Sequence, residues 1–141
     1  MEYIKTKMYR IKIPLFNANI YVYEGPLNGS HGAILDKWNI DITERPGAAG
    51  FTTHSIDDFG VLLCLYEDNI DTLMHEMIHV SGEVLRSRGI EHTTQTEEVY
   101  AYVVTYVARA VLKRRERKLD IKKVLKESFE VGKTFPDNRR V

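Results

Sequence analysis

The run Asn69-Ile70-Asp71-Thr72-Leu73-Met74-His75-Glu76-Met77-Ile78-His79-Val80-Ser81-Gly82-Glu83-Val84-Leu85-Arg86-Ser87-Arg88-Gly89 decides how this chain is read. Its apolar residues Ile70, Leu73, Met74, Met77, Ile78, Val84 and Leu85 recur at helical spacing, which predicts an amphipathic helix. Glu67-Asp68-Asn69 offers a cap and negative charge to the unpaired N–H groups at its start. Arg86 and Arg88 place positive charge in the last turn, and Gly89 before Ile90 is a stop signal. The helix is expected from about Asn69 to Arg88, with His75-Glu76-Met77-Ile78-His79 at its centre. At roughly 100° per residue, His75 and His79 lie about 40° apart, so both imidazoles lean toward one point. That spacing suits two nitrogen ligands of a zinc ion. Glu76, one step round, is placed to take a proton from a metal-bound water rather than to ligate.

Upstream, the pattern is that of strands. Met8 to Ile13 alternates, with Tyr9, Ile11 and Ile13 on one side and Arg10 and Lys12 on the other, until Pro14 interrupts it. Asn17-Ala18-Asn19 reads as a turn into Ile20-Tyr21-Val22-Tyr23, so a hairpin is expected. Gly25-Pro26 and Asn28-Gly29-Ser30 mark a loop, and Ser30 is a candidate cap for a short helix through Ala33, Ile34 and Leu35, anchored by Trp38. Trp38, Ile40 and Ile42 fit a strand equally well. Pro46 to Gly50 breaks the pattern, Phe51-Thr52-Thr53 reads as a strand, and Ser55 to Asp58 as a turn. Phe59 to Tyr66 is almost wholly apolar, as expected of a well-covered strand beneath the motif helix.

Downstream, Thr94-Gln95-Thr96-Glu97 has capping-box form. Val99 to Leu112 follows, apolar on nearly every side and too short for a bilayer, which predicts a central buried helix. Lys113 to Lys118 is its solvated basic end, interrupted by Glu116. Asp120 is a candidate cap for a C-terminal helix over Ile121 to Val131, and residues 132–141 read as a loose tail.

A catalytic zinc takes three protein ligands and keeps one position for water. Gly82 stands three residues after His79, as in the extended metzincin motif, but Leu85 occupies the place of that motif's third His. A carboxylate from the next helix is the alternative. Glu98, 19 residues beyond His79, is the better candidate: a charge at the edge of so apolar a helix needs a partner. Glu97 competes, but the capping box already employs it. A helix that turns Glu98 inward brings Ala101 and Tyr102 to the same face.

The set resembles the gluzincin division of zinc metallopeptidases, in which a helix bearing H-E-x-x-H is followed by a Glu-bearing helix. Glu98-Val99-Tyr100-Ala101-Tyr102 is similar to the E-x-x-A-Y element of small zincin-like proteins, many of phage or prophage origin. The resemblance spans roughly residues 49–112. It implies an α+β zincin-like domain, with a small, mostly antiparallel N-terminal sheet packed on the two helices. It implies one Zn2+ held by His75, His79 and Glu98, Glu76 as catalytic base, and a peptide or protein substrate lying along Phe59 to Tyr66 as edge strand. The Asp that orients the first His in thermolysin-like members is replaced by Tyr102, so the groups supporting the ligands must differ.

Other residues receive lesser roles. The hydroxyls of Tyr100, Tyr102 and Tyr106 are candidates for oxyanion or substrate contact, against the simpler role of core aromatics. His54 and His92 fall in expected loops near the site. Cys64 reads as a small buried hydrophobe.

Composition bounds the rest. With 141 residues, 43% hydrophobic and 28% charged, one globular domain over 1–141 is expected. Twenty basic residues balance twenty acidic ones, which argues against a dedicated nucleic-acid binder. One cysteine permits no internal disulfide, and no signal peptide or membrane span is legible, so a cytoplasmic protein is expected. Three functions compete: a zinc-dependent peptide hydrolase, a catalytically silent metal- or partner-binding accessory protein of a phage or mobile element, and an interaction module whose His pair never meets metal.

Overall fold

In a computed structural model, which describes residues 5–42, 48–54 and 60–115, the expected N-terminal hairpin forms from β1 (Lys7–Ile13) and β2 (Ala18–Glu24). They pair antiparallel from Lys7 opposite Glu24 to Ile13 opposite Ala18. Pro14 ends β1 by opening a short 3-10 turn, Pro14–Phe16, closed by Asn17 in the left-handed region at φ 48°. The turn therefore lies earlier than Asn17-Ala18-Asn19, because the fixed φ of proline suits the first helical position. Ala18 already belongs to β2.

Helix α1 (Ser30–Trp38) removes the ambiguity at Trp38 in favour of helix. Ser30 is its first residue and not its cap. Gly29 holds that place at φ 82°, a conformation open to glycine at little cost, and the Ser30 hydroxyl donates to the Leu27 carbonyl at 2.7 Å.

β3 (Gly50–His54) and β4 (Val61–Leu65) complete one sheet of order β1-β2-β4-β3. β3 runs antiparallel to β4, whereas β2 and β4 are parallel, so the sheet is mixed, with two antiparallel pairings and one parallel. The apolar run around β4 is thus a central strand, not the edge assigned by resemblance; the edges of the described sheet are β1 and β3, and β3 is the one beside α2. The physical reason is plain in the burial: all five residues of β4 are buried, as a strand covered on both faces requires. Leu62 and Cys64 join Tyr23, Ile34, Ile42 and Tyr66 in one core cluster, with Tyr21, Trp38 and Phe51 packed against it.

Helix α2 (Ile70–Arg86) packs on β3 and β4. The Asn69 side chain caps it by accepting from the Thr72 N–H at 2.7 Å. At the other end Gly89, at φ 71°, sends its N–H to the Arg86 carbonyl, and the Ile90 N–H reaches the Leu85 carbonyl at 2.9 Å. The buried face of α2 is Thr72, Leu73, Glu76, Met77, Val80, Ser81, Val84 and Leu85. Three residues of the expected apolar stripe, Ile70, Met74 and Ile78, are instead exposed.

A 3-10 turn, Thr94–Thr96, leads into α3 (Glu97–Arg114). The capping box is present one residue earlier than expected: Thr93 is the cap and Thr96 its reciprocal partner, so Glu97 is not employed there. α3 is not a central buried helix. Val103, Val107, Ala108 and Val111 are buried, while Ala101, Tyr102, Thr105 and Arg109 are exposed. Tyrosines and alanines made the sequence look apolar all round, yet both types tolerate water.

The described architecture is α+β: a four-stranded sheet and three helices. Compact units cover residues 1–111 and 112–141, and the sheet and α2 belong to the first. The C-terminal helix expected over Ile121 to Val131, the tail, and the turn at Ser55 to Asp58 lie outside the described residues. Among those described, no helix is long and apolar enough to cross a membrane.

Candidate active site

The motif divides between two environments. Glu76 is buried at 5% exposure, whereas His75 and His79 are both exposed. A helix step of roughly 100° produces this split when the boundary between buried and open faces falls between adjacent residues. The two imidazoles stand as neighbours, ring centroids 5.1 Å apart at an interplanar angle of 60°.

Glu76 is held against the edge strand. Thr52 of β3 donates its hydroxyl to Glu76 Oε2 at 2.5 Å, an anchor that a buried carboxylate needs to offset lost hydration. Gly50, two residues earlier on β3, lies so close that an added Cβ would fall 2.8 Å from Glu76 Cγ and 3.0 Å from Thr72 Cγ2. Ala49, Gly50, Asp71, Thr72, His75 and Glu76 together line an open groove of about 330 Å³ between the start of β3 and the first half of α2. A buried carboxylate, one imidazole and the sheet edge therefore share one concavity.

Two exposed imidazoles on successive turns of one helix are donors of the type and spacing that zinc accepts. Glu98 occupies the first turn of α3, exposed, as are Ala101 and Tyr102. The face expected to turn inward thus faces water. Among the described residues, no three His, Cys, Asp or Glu side chains stand as one metal-binding group, so His75, His79 and Glu98 are not assembled into a closed set. The hydroxyl of Ser81 on α2 donates to the Tyr100 carbonyl on α3 at 3.0 Å, which ties the two helices two residues beyond His79.

Tyr102 and Tyr106 contact each other at 5.9 Å between ring centroids, and Tyr100 stacks on His92 at 4.1 Å. Nothing given by these contacts joins them to Glu76. His54 closes β3 by its backbone. Cys64 is fully buried on the central strand, and burial pushes its thiol up to about 12, well away from the thiolate that metal or redox chemistry uses. Sequence reasoning missed Gly50 and Thr52. The available signal was the period-two alternation through Gly50-Phe51-Thr52, which places both on one face if Phe51 enters the core.

No family model, curated protein or solved structure gives a significant match to this chain.

Proposed function

We propose that this chain is a zinc-dependent peptide hydrolase on a small zincin-like scaffold, with Glu76 as the general base. The observation that carries the proposal is the division of the motif: Glu76 is buried and anchored to the edge strand by Thr52, beside two exposed imidazoles that open to water. Burying a carboxylate costs free energy that a solvated helix face does not demand, and here the Thr52 hydroxyl offsets it at Glu76.

His75 and His79 would hold the ion, with Glu98 as the carboxylate that completes the set. Zinc, when bound, supplies a water of lowered pKa and polarises the scissile carbonyl. Glu76 would accept the proton from the attacking water and deliver it to the leaving amine. β3, antiparallel to β4 and at the sheet edge, offers an extended peptide a strand to pair with, and the groove at Gly50 brings that peptide beside Glu76.

One observation favours a second function, binding of metal or a partner without turnover, as in an accessory protein of a phage or mobile element. His75, His79 and Glu98 do not stand as one three-donor group among the described residues. Fully metallated wild type and Glu76→Gln, compared on a broad peptide library, separate the two. Hydrolysis by wild type, reduced about 10²- to 10⁴-fold in the variant at equal zinc content, is the expected result. Identical inertness of both proteins, each carrying zinc, leaves binding as the function. Less than about a tenth of an equivalent of zinc in protein purified without chelator would sink both the hydrolase and metal binding, leaving a partner as the ligand.

A further inference from the structure

A glutamate on a helix has rotamer freedom that a proton-transfer step does not tolerate, so its direction has to be fixed by something. In this protein the fixing element is the edge strand. The register of β3 on β4 pairs Gly50 with Leu65 and Thr52 with Leu63, while Phe51 between them packs into the opposite core cluster with Tyr23 and Cys64. Gly50 and Thr52 thus share the sheet face on which α2 lies. One carries no side chain and the other a hydroxyl.

We propose that Thr52, working in the space that Gly50 leaves, is the positioning residue that aims the Glu76 carboxylate. The two oxygens of Glu76 are not equivalent. Oε2 accepts the Thr52 hydroxyl, and Oε1 lies alongside Gly50, where an added Cβ would stand 3.1 Å away. Gly50 lines the groove together with His75 and Asp71, so Oε1 is the oxygen left for the reaction. Threonine suits the task because its β-branch restricts χ1, and the strand backbone then sets the hydroxyl direction. Thr52 touches no substrate in this scheme; it acts through Glu76. The proposal rests on Glu76 as the base, and its test is built to survive the failure of that assignment.

The experiment compares full-length, zinc-loaded wild type with Thr52→Ser, Thr52→Val and Gly50→Ala, by crystal structure, zinc content, and kcat and KM on a cleaved peptide. Thr52→Ser keeps the hydroxyl and is expected to keep the Glu76 rotamer and kcat. Thr52→Val keeps the shape and removes the donor; the carboxylate should leave its place, and kcat should fall about 10- to 100-fold with KM and zinc content unchanged. Gly50→Ala displaces Glu76 sterically while retaining Thr52, so the same kcat loss by another route is expected, even where Thr52→Val fails to fold. The proposal is overturned if Glu76 keeps its rotamer in Thr52→Val, or if Thr52→Ser loses as much activity as Thr52→Val; where Thr52→Val does not fold, it is overturned if Gly50→Ala leaves the Glu76 rotamer and kcat unchanged. Should wild type cleave no peptide, the hydrolase assignment falls, while the Glu76 rotamers in the variant structures still decide the positioning role.

Discussion

At the residue scale, the chain spends its buried polar positions unevenly. Glu76 is anchored beside the groove, whereas Cys64, Tyr66 and Tyr23 are titratable groups enclosed in the core, all pushed up chiefly by burial. Their linkage to stability has a definite sign. The folded protein keeps the Cys64 proton up to about 12 against an ordinary 9.0, so this contribution is complete below pH ~9. It is lost as the pH rises from there through the folded-state value, because the unfolded chain sheds its proton first. Urea midpoints should therefore decline between pH 9 and 12, less steeply in Cys64→Ala after allowing for its cavity. Iodoacetamide at pH 8 should alkylate Cys64 in urea and leave the native protein unmodified. Fast native labelling would show that the thiol is not enclosed. The helical placement of His75, Glu76 and His79 was legible because it depends only on spacing and caps within one helix. Gly50 and Thr52 were not, since their contact with Glu76 crosses more than twenty residues and depends on strand register.

At the element scale, local signals translated well and environment poorly. Both ends of α2 were legible, since a cap needs only the adjacent backbone. Asn69→Ala and Gly89→Ala should each cost about 1 kcal/mol in denaturant titration, the first by losing the acceptor for Thr72, the second by forcing alanine to φ 71°. Periodicity marked Ile78 and Met77 alike as core, yet Ile78 is 63% exposed and Met77 fully buried. Ile78→Gln should change stability by less than about 0.5 kcal/mol, and Met77→Ala should cost about 2–5 kcal/mol. Equal losses would mean that the ridge of Ile70, Met74 and Ile78 is covered in solution. The exchange of edge for centre in the sheet came from the resemblance, not from the pattern. Hydrophobicity showed that β4 is covered, but strand order is set by pairing between residues distant in sequence, such as Ile20 with Val61.

At the scale of the whole molecule, the proposed zinc site requires α2 and the start of α3 to act together. The α+β class was legible, with the strand-rich run preceding the two helices. The inward turn expected of Glu98 was not realised, because α3 buries one narrow face rather than its whole circumference. The Ser81–Tyr100 hydrogen bond ties the two helices near the first turn of α3 in the described fold. If Glu98 completes the zinc site, metal must couple that first turn to His75 and His79. Zinc at about 100 times its Kd should then stabilise the folded chain by about 2.7 kcal/mol, a rise in Tm on the order of 5–10 °C that chelation reverses. Amide exchange should slow at Thr96 to Tyr100 as well as around His75 to His79, since a ligand suppresses the local openings that would release it. In Glu98→Ala the protection at Thr96 to Tyr100 should vanish and zinc affinity fall, with the fold intact because Glu98 is exposed. A metal-dependent rise in Tm without any slowing at Thr96 to Tyr100 would place the third ligand elsewhere than on α3.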